Sequence, residues 1–137
     1  MKTWPIALAC LLLLAPAAGL PQAAADDPTK TAPAAEEIQG DLEAARQSWA
    51  LIEDGALVID VRSAGEFSGG HVDGALNIAH TDIEALAAAI GPDLNRSVVL
   101  YCGSGRRSGL AIAGLEELGY EALYNATGYD ALQATQP

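Results

Sequence analysis

Residues Ser97 to Gly109 read SVVLYCGSGRRSG. Ser97–Tyr101 is a short, β-branched apolar run of the kind that forms a strand covered on both faces. The following stretch, Cys102-Gly103-Ser104-Gly105-Arg106-Arg107, is too rich in small and charged residues to continue it. Ser108 to Leu118 has helical character, and Gly119 sits just past its last turn. This order places Cys102 at the carboxyl edge of a sheet, where α/β proteins bind their ligands. Gly103 and Gly105 can take positive φ, so that the loop can curl with several backbone N–H groups aimed at its centre. The helix start adds the positive end of a dipole, and Arg106 and Arg107 add two permanent charges. Each effect favours thiolate over thiol, and a cysteine pKa ordinarily about 8.5 is expected to fall. The same donors suit a small oxyanion. A cysteine after a strand is by itself more often an inert core residue; glycines, arginines and position together reverse that balance here.

Upstream, Ala56–Val61 (ALVIDV) is a second buried strand, and Gly69–Gly74 leads to a brief strand around Ala75–Ile78. Leu42, Ala45, Trp49 and Ile52 fall at helical spacing before Asp54-Gly55. Thr81-Asp82-Ile83-Glu84 matches a capping box and opens a helix to Ile90, ended by Gly91-Pro92. Downstream, Tyr120–Tyr124 reads as a last strand, and a turn around Gly128 precedes a terminal helical scrap. Alternating β and α units of this size imply an α/β fold, a mostly parallel sheet with helices on both faces.

Acidic residues outnumber basic ones 18 to 7 in the 137-residue chain, a formal charge of −11 that argues against nucleic acid or anionic lipid as a partner. Met1–Ala25 reads as a secretory signal peptide: Lys2, an apolar run from Ile6 to Leu14, then the small residues Ala23-Ala24-Ala25. Proline interrupts the run, which is short for a membrane span. Cleavage near Ala25 removes Cys10 and leaves Cys102 as the sole cysteine, without an internal disulfide partner in an oxidising compartment. Asp26–Ala35 is expected to be a flexible leader, and 36–137 one domain.

Strand, Cys102-x-x-x-x-Arg107 and helix together resemble the active-site loop of rhodanese-like sulfurtransferases. Ile59-Asp60-Val61-Arg62, Glu66-Phe67, Gly70-His71-Val72 and Gly74-Ala75-Leu76-Asn77-Ile78 resemble the family's N-terminal signature. The likeness runs from about Trp49 to Asp130, and the export signal and Tyr101–Gly109 pattern bring it nearest to periplasmic single-domain thiosulfate sulfurtransferases. It implies a single rhodanese-like domain and a double displacement in which Cys102 takes sulfane sulfur from thiosulfate and passes it to cyanide or another thiophile. On this resemblance backbone N–H groups from Gly103 to Ser108, including those of Ser104 and Gly105, stabilise the persulfide. Arg107 binds the sulfonate end of the donor and Arg106 helps to attract it. No metal or organic cofactor is called for, and no stable membrane association after cleavage is expected. Phosphatases and arsenate reductases of this architecture use Cys-x5-Arg, which would require arginine at Ser108. A non-enzymatic sulfur carrier is a third possibility.

The resemblance makes Asp60 and Arg62 structural partners near the loop. His71, in a glycine-rich turn, is expected to be structural, and His80 beside the Thr81 cap likewise. Asn95-Arg96-Ser97 and Asn125-Ala126-Thr127 match the glycosylation sequon, a tripeptide common by chance. Asp73 stands where relatives usually carry proline. Thr127 stands where they often carry the first of two glycines, so the turn near the pocket is expected to differ in shape.

Overall fold

The computed structural model describes residues 34–137. The expected signal segment, and all but the last two residues of the expected leader, lie outside the described residues. In chain order the elements are α1 (Ala35–Glu53), β1 (Leu57–Asp60), α2 (Ala64–Ser68), β2 (Leu76–Asn77), α3 (Ile83–Ile90), β3 (Val98–Cys102), α4 (Arg106–Glu117), β4 (Leu123–Gly128) and α5 (Tyr129–Ala134). The four strands run parallel in the order β2-β1-β3-β4.

Parallel strands covered on both faces require apolar side chains at successive positions, and all five residues of β3 are buried. Alternation divides the core. Ile59, Val98 and Leu100 pack with Leu86 and Ile90 of α3 and Ala111 and Leu115 of α4. Val58, Val99 and Tyr101 pack with Ala45 of α1 and Leu132 of α5. Helices therefore cover both faces of the sheet, as the alternating pattern implies.

Several local expectations are corrected. The N-cap of α3 is Asp82, whose carboxylate accepts the Ala85 N–H at 3.0 Å, rather than Thr81. A charged acceptor at the positive helix end outcompetes a hydroxyl one residue earlier. The last strand is Leu123–Gly128, not Tyr120–Tyr124. Tyr120 instead buries its ring and donates its hydroxyl proton toward the carbonyls of Gly91 (2.7 Å) and Ala87 (3.2 Å), clamping the end of α3. Helix α2 is too short for periodicity to signal, yet Ser63-x-x-Glu66 caps it: Ser63 Oγ accepts the Glu66 N–H, and the Glu66 carboxylate accepts the Ser63 N–H.

Asp60, the last residue of β1, and Arg62 form a buried pair. Arg62 Nε and Nη2 donate to the Asp60 carboxylate, at 2.7 Å for Nη2, which also donates to the Gly70 carbonyl. The guanidinium lies 4.5 Å from the Tyr129 ring centroid and 5.6 Å from that of Tyr101. Asn77 Nδ2 donates to the carbonyls of both Asp60 and Arg62, tying in edge strand β2. Hydrogen bonding to Asp60 raises the Arg62 pKa against the opposing effect of burial. One prediction concerns stability. Asp60→Ala leaves the Arg62 charge buried without its partner and is expected to lower unfolding free energy by about 3–5 kcal/mol, measured by urea denaturation.

Candidate active site

Cys102 ends β3, and its side chain is fully buried. The Gly105 N–H donates to Sγ at 3.0 Å, and Ser108 Oγ lies 3.6 Å from it. The turn between them is compact because Gly105 takes φ +84° as the N-cap of α4. That helix starts at Arg106, two residues before its expected beginning, so both arginines belong to its first turn. Of the two glycines free to take positive φ, only Gly105 does so. Gly103 supplies room instead: a Cβ there would stand 3.2 Å from Arg107 Nη2.

The other wall comes from β4. Leu100 pairs with Asn125 while Cys102 pairs with Gly128, so β4 carries an extra residue in this interval. Thr127 lies within it at φ 65°, the one positive-φ residue other than glycine among the described residues. Asn125 Oδ1 accepts the Thr127 N–H at 2.9 Å and holds this unusual backbone. The bulge presses the two loops together: a Cβ on Gly105 would meet Thr127 Cα at 3.1 Å, and one on Gly128 would meet the Gly103 carbonyl oxygen at 2.5 Å.

Burial pushes the Cys102 thiol pKa up, but backbone N–H groups of Ser108, Ser104 and Arg107, with the Ser108 hydroxyl, more than offset this and hold it below the ordinary value. The loop amides and Ser108 thus converge on the sulfur. The arginines are not equivalent. Arg107 makes a two-point ion pair with Glu66, at 2.8 and 2.9 Å. Arg106 is exposed and has no ion-pair partner among the described residues. Arg107, together with the Ser63 N–H and hydroxyl, holds Glu66 well below the usual carboxylate range, and Glu66 in turn raises Arg107. Sequence reading missed this role for Glu66; the Ser63-x-x-Glu66 box was the available signal.

Asn125 was missed as well, since nothing at sequence level links it to the Cys102 loop. His71 turns elsewhere: its Nδ1 lies 2.9 Å from the Phe67 carbonyl oxygen, and its ring stacks on Phe67. Against the loop lies a groove of about 790 Å³ lined by Gly103, Ser104 and Gly128 together with the carboxylate residues Glu37, Asp41 and Asp130. A titration follows from this geometry. The Cys102 thiolate, followed by ultraviolet absorbance, is expected to appear at lower pH than an ordinary thiol. Ser108→Ala should move the midpoint up by about one unit through loss of a donor to the charged form.

The model of the rhodanese-like domain matches residues 44–135. Thiosulfate sulfurtransferase PspE of Escherichia coli is 41% identical over 70 residues, covering 51% of this chain and 67% of that protein. Thiosulfate sulfurtransferase GlpE of Pseudomonas savastanoi is 33% identical over 93 residues, covering 66% and 85%. Among solved structures, a rhodanese with anions from E. coli superposes with a TM-score of 0.53 at 40% identity, covering 56% of this chain and 91% of that one. Human single-domain sulfurtransferase TSTD1 gives 0.56 at 28% identity, covering 66% and 93%. Fold, loop and signature agree with a domain match across most of the sequence: the chain belongs to the rhodanese-like domain family.

Proposed function

We propose that this protein is a thiosulfate sulfurtransferase that carries sulfane sulfur on Cys102. One observation supports it above others: a buried thiol held below its ordinary pKa by N–H donors at the carboxyl edge of a parallel sheet. The naming of relatives such as PspE and GlpE as thiosulfate sulfurtransferases supports the reaction class.

In the first half-reaction the Cys102 thiolate attacks the outer sulfur of thiosulfate. A new S–S bond forms to Cys102, the bond to the sulfonate sulfur breaks, and its electron pair leaves with sulfite. In the second, an acceptor such as cyanide attacks the terminal persulfide sulfur, the S–S bond to Cys102 breaks, and thiocyanate departs as the thiolate is restored. Negative charge is conserved in both steps, and no proton is required. The N–H groups of Ser104, Gly105, Arg107 and Ser108 stabilise the anionic sulfur, as an oxyanion hole stabilises oxygen. The thiol is buried whereas Gly103 and Ser104 are exposed, so this stretch must yield to admit a reactant, which favours small ones.

Arg107, whose guanidinium interacts with Cys102 and stands beside Gly103, meets the sulfonate end of the donor, and Arg106, exposed and without a resident carboxylate, helps to attract it. Arg107 contributes while its guanidinium remains shared with Glu66. A phosphatase loop needs arginine at position 108, but Ser108 stands there with its hydroxyl near Sγ. Export to the periplasm is read from Met1–Ala25; none of the described helices is long and apolar enough to cross a membrane.

Thiosulfate treatment is expected to add one sulfur atom to the protein, seen by mass spectrometry, and Cys102→Ala to abolish both this adduct and thiocyanate production. Thiocyanate formation surviving that substitution would rule out the mechanism, and a stable adduct without turnover would indicate a carrier. Arg107→Ala should raise KM for thiosulfate roughly tenfold with a smaller change in kcat, the signature of a lost charge-assisted contact to the bound donor.

A further inference from the structure

Asn125 lies on β4, apart from the Cys102 loop in sequence, and its bonds fix the orientation of its amide. The Thr127 N–H donates to Oδ1 at 2.9 Å and Nδ2 donates to the Gly105 carbonyl at 2.9 Å, so the two ends cannot be exchanged. Oδ1 therefore faces Ser108 Oγ as an acceptor, at 2.7 Å.

Ser108 has a single hydroxyl proton and three acceptors around it: Asn125 Oδ1 at 2.7 Å, the Gly105 carbonyl at 3.0 Å and Cys102 Sγ at 3.6 Å. The Gly105 carbonyl already receives the Gly109 N–H at 3.0 Å and Asn125 Nδ2, which leaves Asn125 and the sulfur as the competing destinations. Beside a neutral thiol the short bond to Asn125 prevails. Charge on Sγ makes it an acceptor roughly twice as strong, and rotation about the C–O bond of Ser108 redirects the proton without moving a heavy atom.

We propose that Asn125 is a positioning residue that holds the Ser108 hydroxyl between two acceptors, so that its proton follows the charge on Cys102. The sulfur then gains a donor in the free thiolate and again as that thiolate reforms when the acceptor removes the sulfane sulfur. No covalent bond is made or broken in this switch. The proposal rests on Cys102 being the reacting group, and Asn125 itself touches no reacting atom.

The test is a titration of thiolate absorbance in the full chain carrying Cys10→Ser, so that Cys102 is the one thiol titrated, without donor or acceptor, for that background alone and with Asn125→Asp, Ser108→Ala or both. Asn125→Asp keeps the acceptor toward Ser108 and charges it, so the hydroxyl remains on residue 125. With Ser108 present the thiolate-to-thiol ratio at a given pH should fall about tenfold; in the Ser108→Ala background direct repulsion alone should lower it by about threefold or less. If the aspartate variant does not fold, Asn125→Ala is expected to shift the midpoint with Ser108 present and leave it in place with Ser108→Ala. Equal shifts in both backgrounds, or none in either, would overturn the proposal. Failure of thiosulfate turnover with this coupling intact would count against the proposed reaction and not against the role of Asn125.

Discussion

A sulfur atom that carries charge inside a hydrophobic core needs hydrogen-bond donors that do not depend on water. Cys102 ends a strand whose five residues are all buried, beneath helix α4, so desolvation acts directly against ionisation. The chain meets this demand with its own backbone: a tight turn at Gly105 and the start of α4 bring successive N–H groups to the sulfur. The turn, the residue types within it and the wall opposite it are consequences of that arrangement.

The opposite wall is set by close approach. Gly128 lies against the Gly103 carbonyl, with no room for a side chain, and Gly105 lies against Thr127, where a side chain would be tightly crowded. The extra residue in β4 makes this approach possible, and Thr127 adopts a left-handed backbone that costs a β-branched residue more than glycine. Asn125 offsets that cost by bonding the Thr127 N–H, and the same side chain reaches Ser108 and Gly105. The left-handed backbone at Thr127 is thus coupled to the cysteine loop through one amide.

Charge is distributed with equal specificity. In a chain of formal charge −11, the Arg107 guanidinium interacts with the sulfur, and Glu66 engages it at two points. The buried Asp60–Arg62 pair is separate; it joins β1, β2 and the Gly70 turn and acts as framework. The groove beside the loop adds Glu37, Asp41 and Asp130. Net charge alone would make the protein repel small anions; the local arrangement makes one loop an exception.

The apolar runs at Val58–Val61 and Val98–Tyr101, the turn glycines and the order of elements were sufficient to read a parallel α/β sheet with Cys102 at its carboxyl edge. Hydrophobic period and chain punctuation are local properties that a sequence displays directly. The bounds of β4, the cap of α3, the short helix α2 and the conformation of Gly103 were less legible, because tertiary contacts choose among locally similar options. Tyr120 shows this most clearly: its composition suits a strand, and two carbonyls at the end of α3 claim it instead. Glu66 and Asn125 lie 41 and 17 residues from their partners Arg107 and Ser108. The sequence by itself determined which residue types could carry the chemistry and on which edge of the sheet they stand. Only the tertiary structure decided which arginine is engaged and where the Ser108 proton can go, since both depend on distances of a few ångströms between segments remote along the chain.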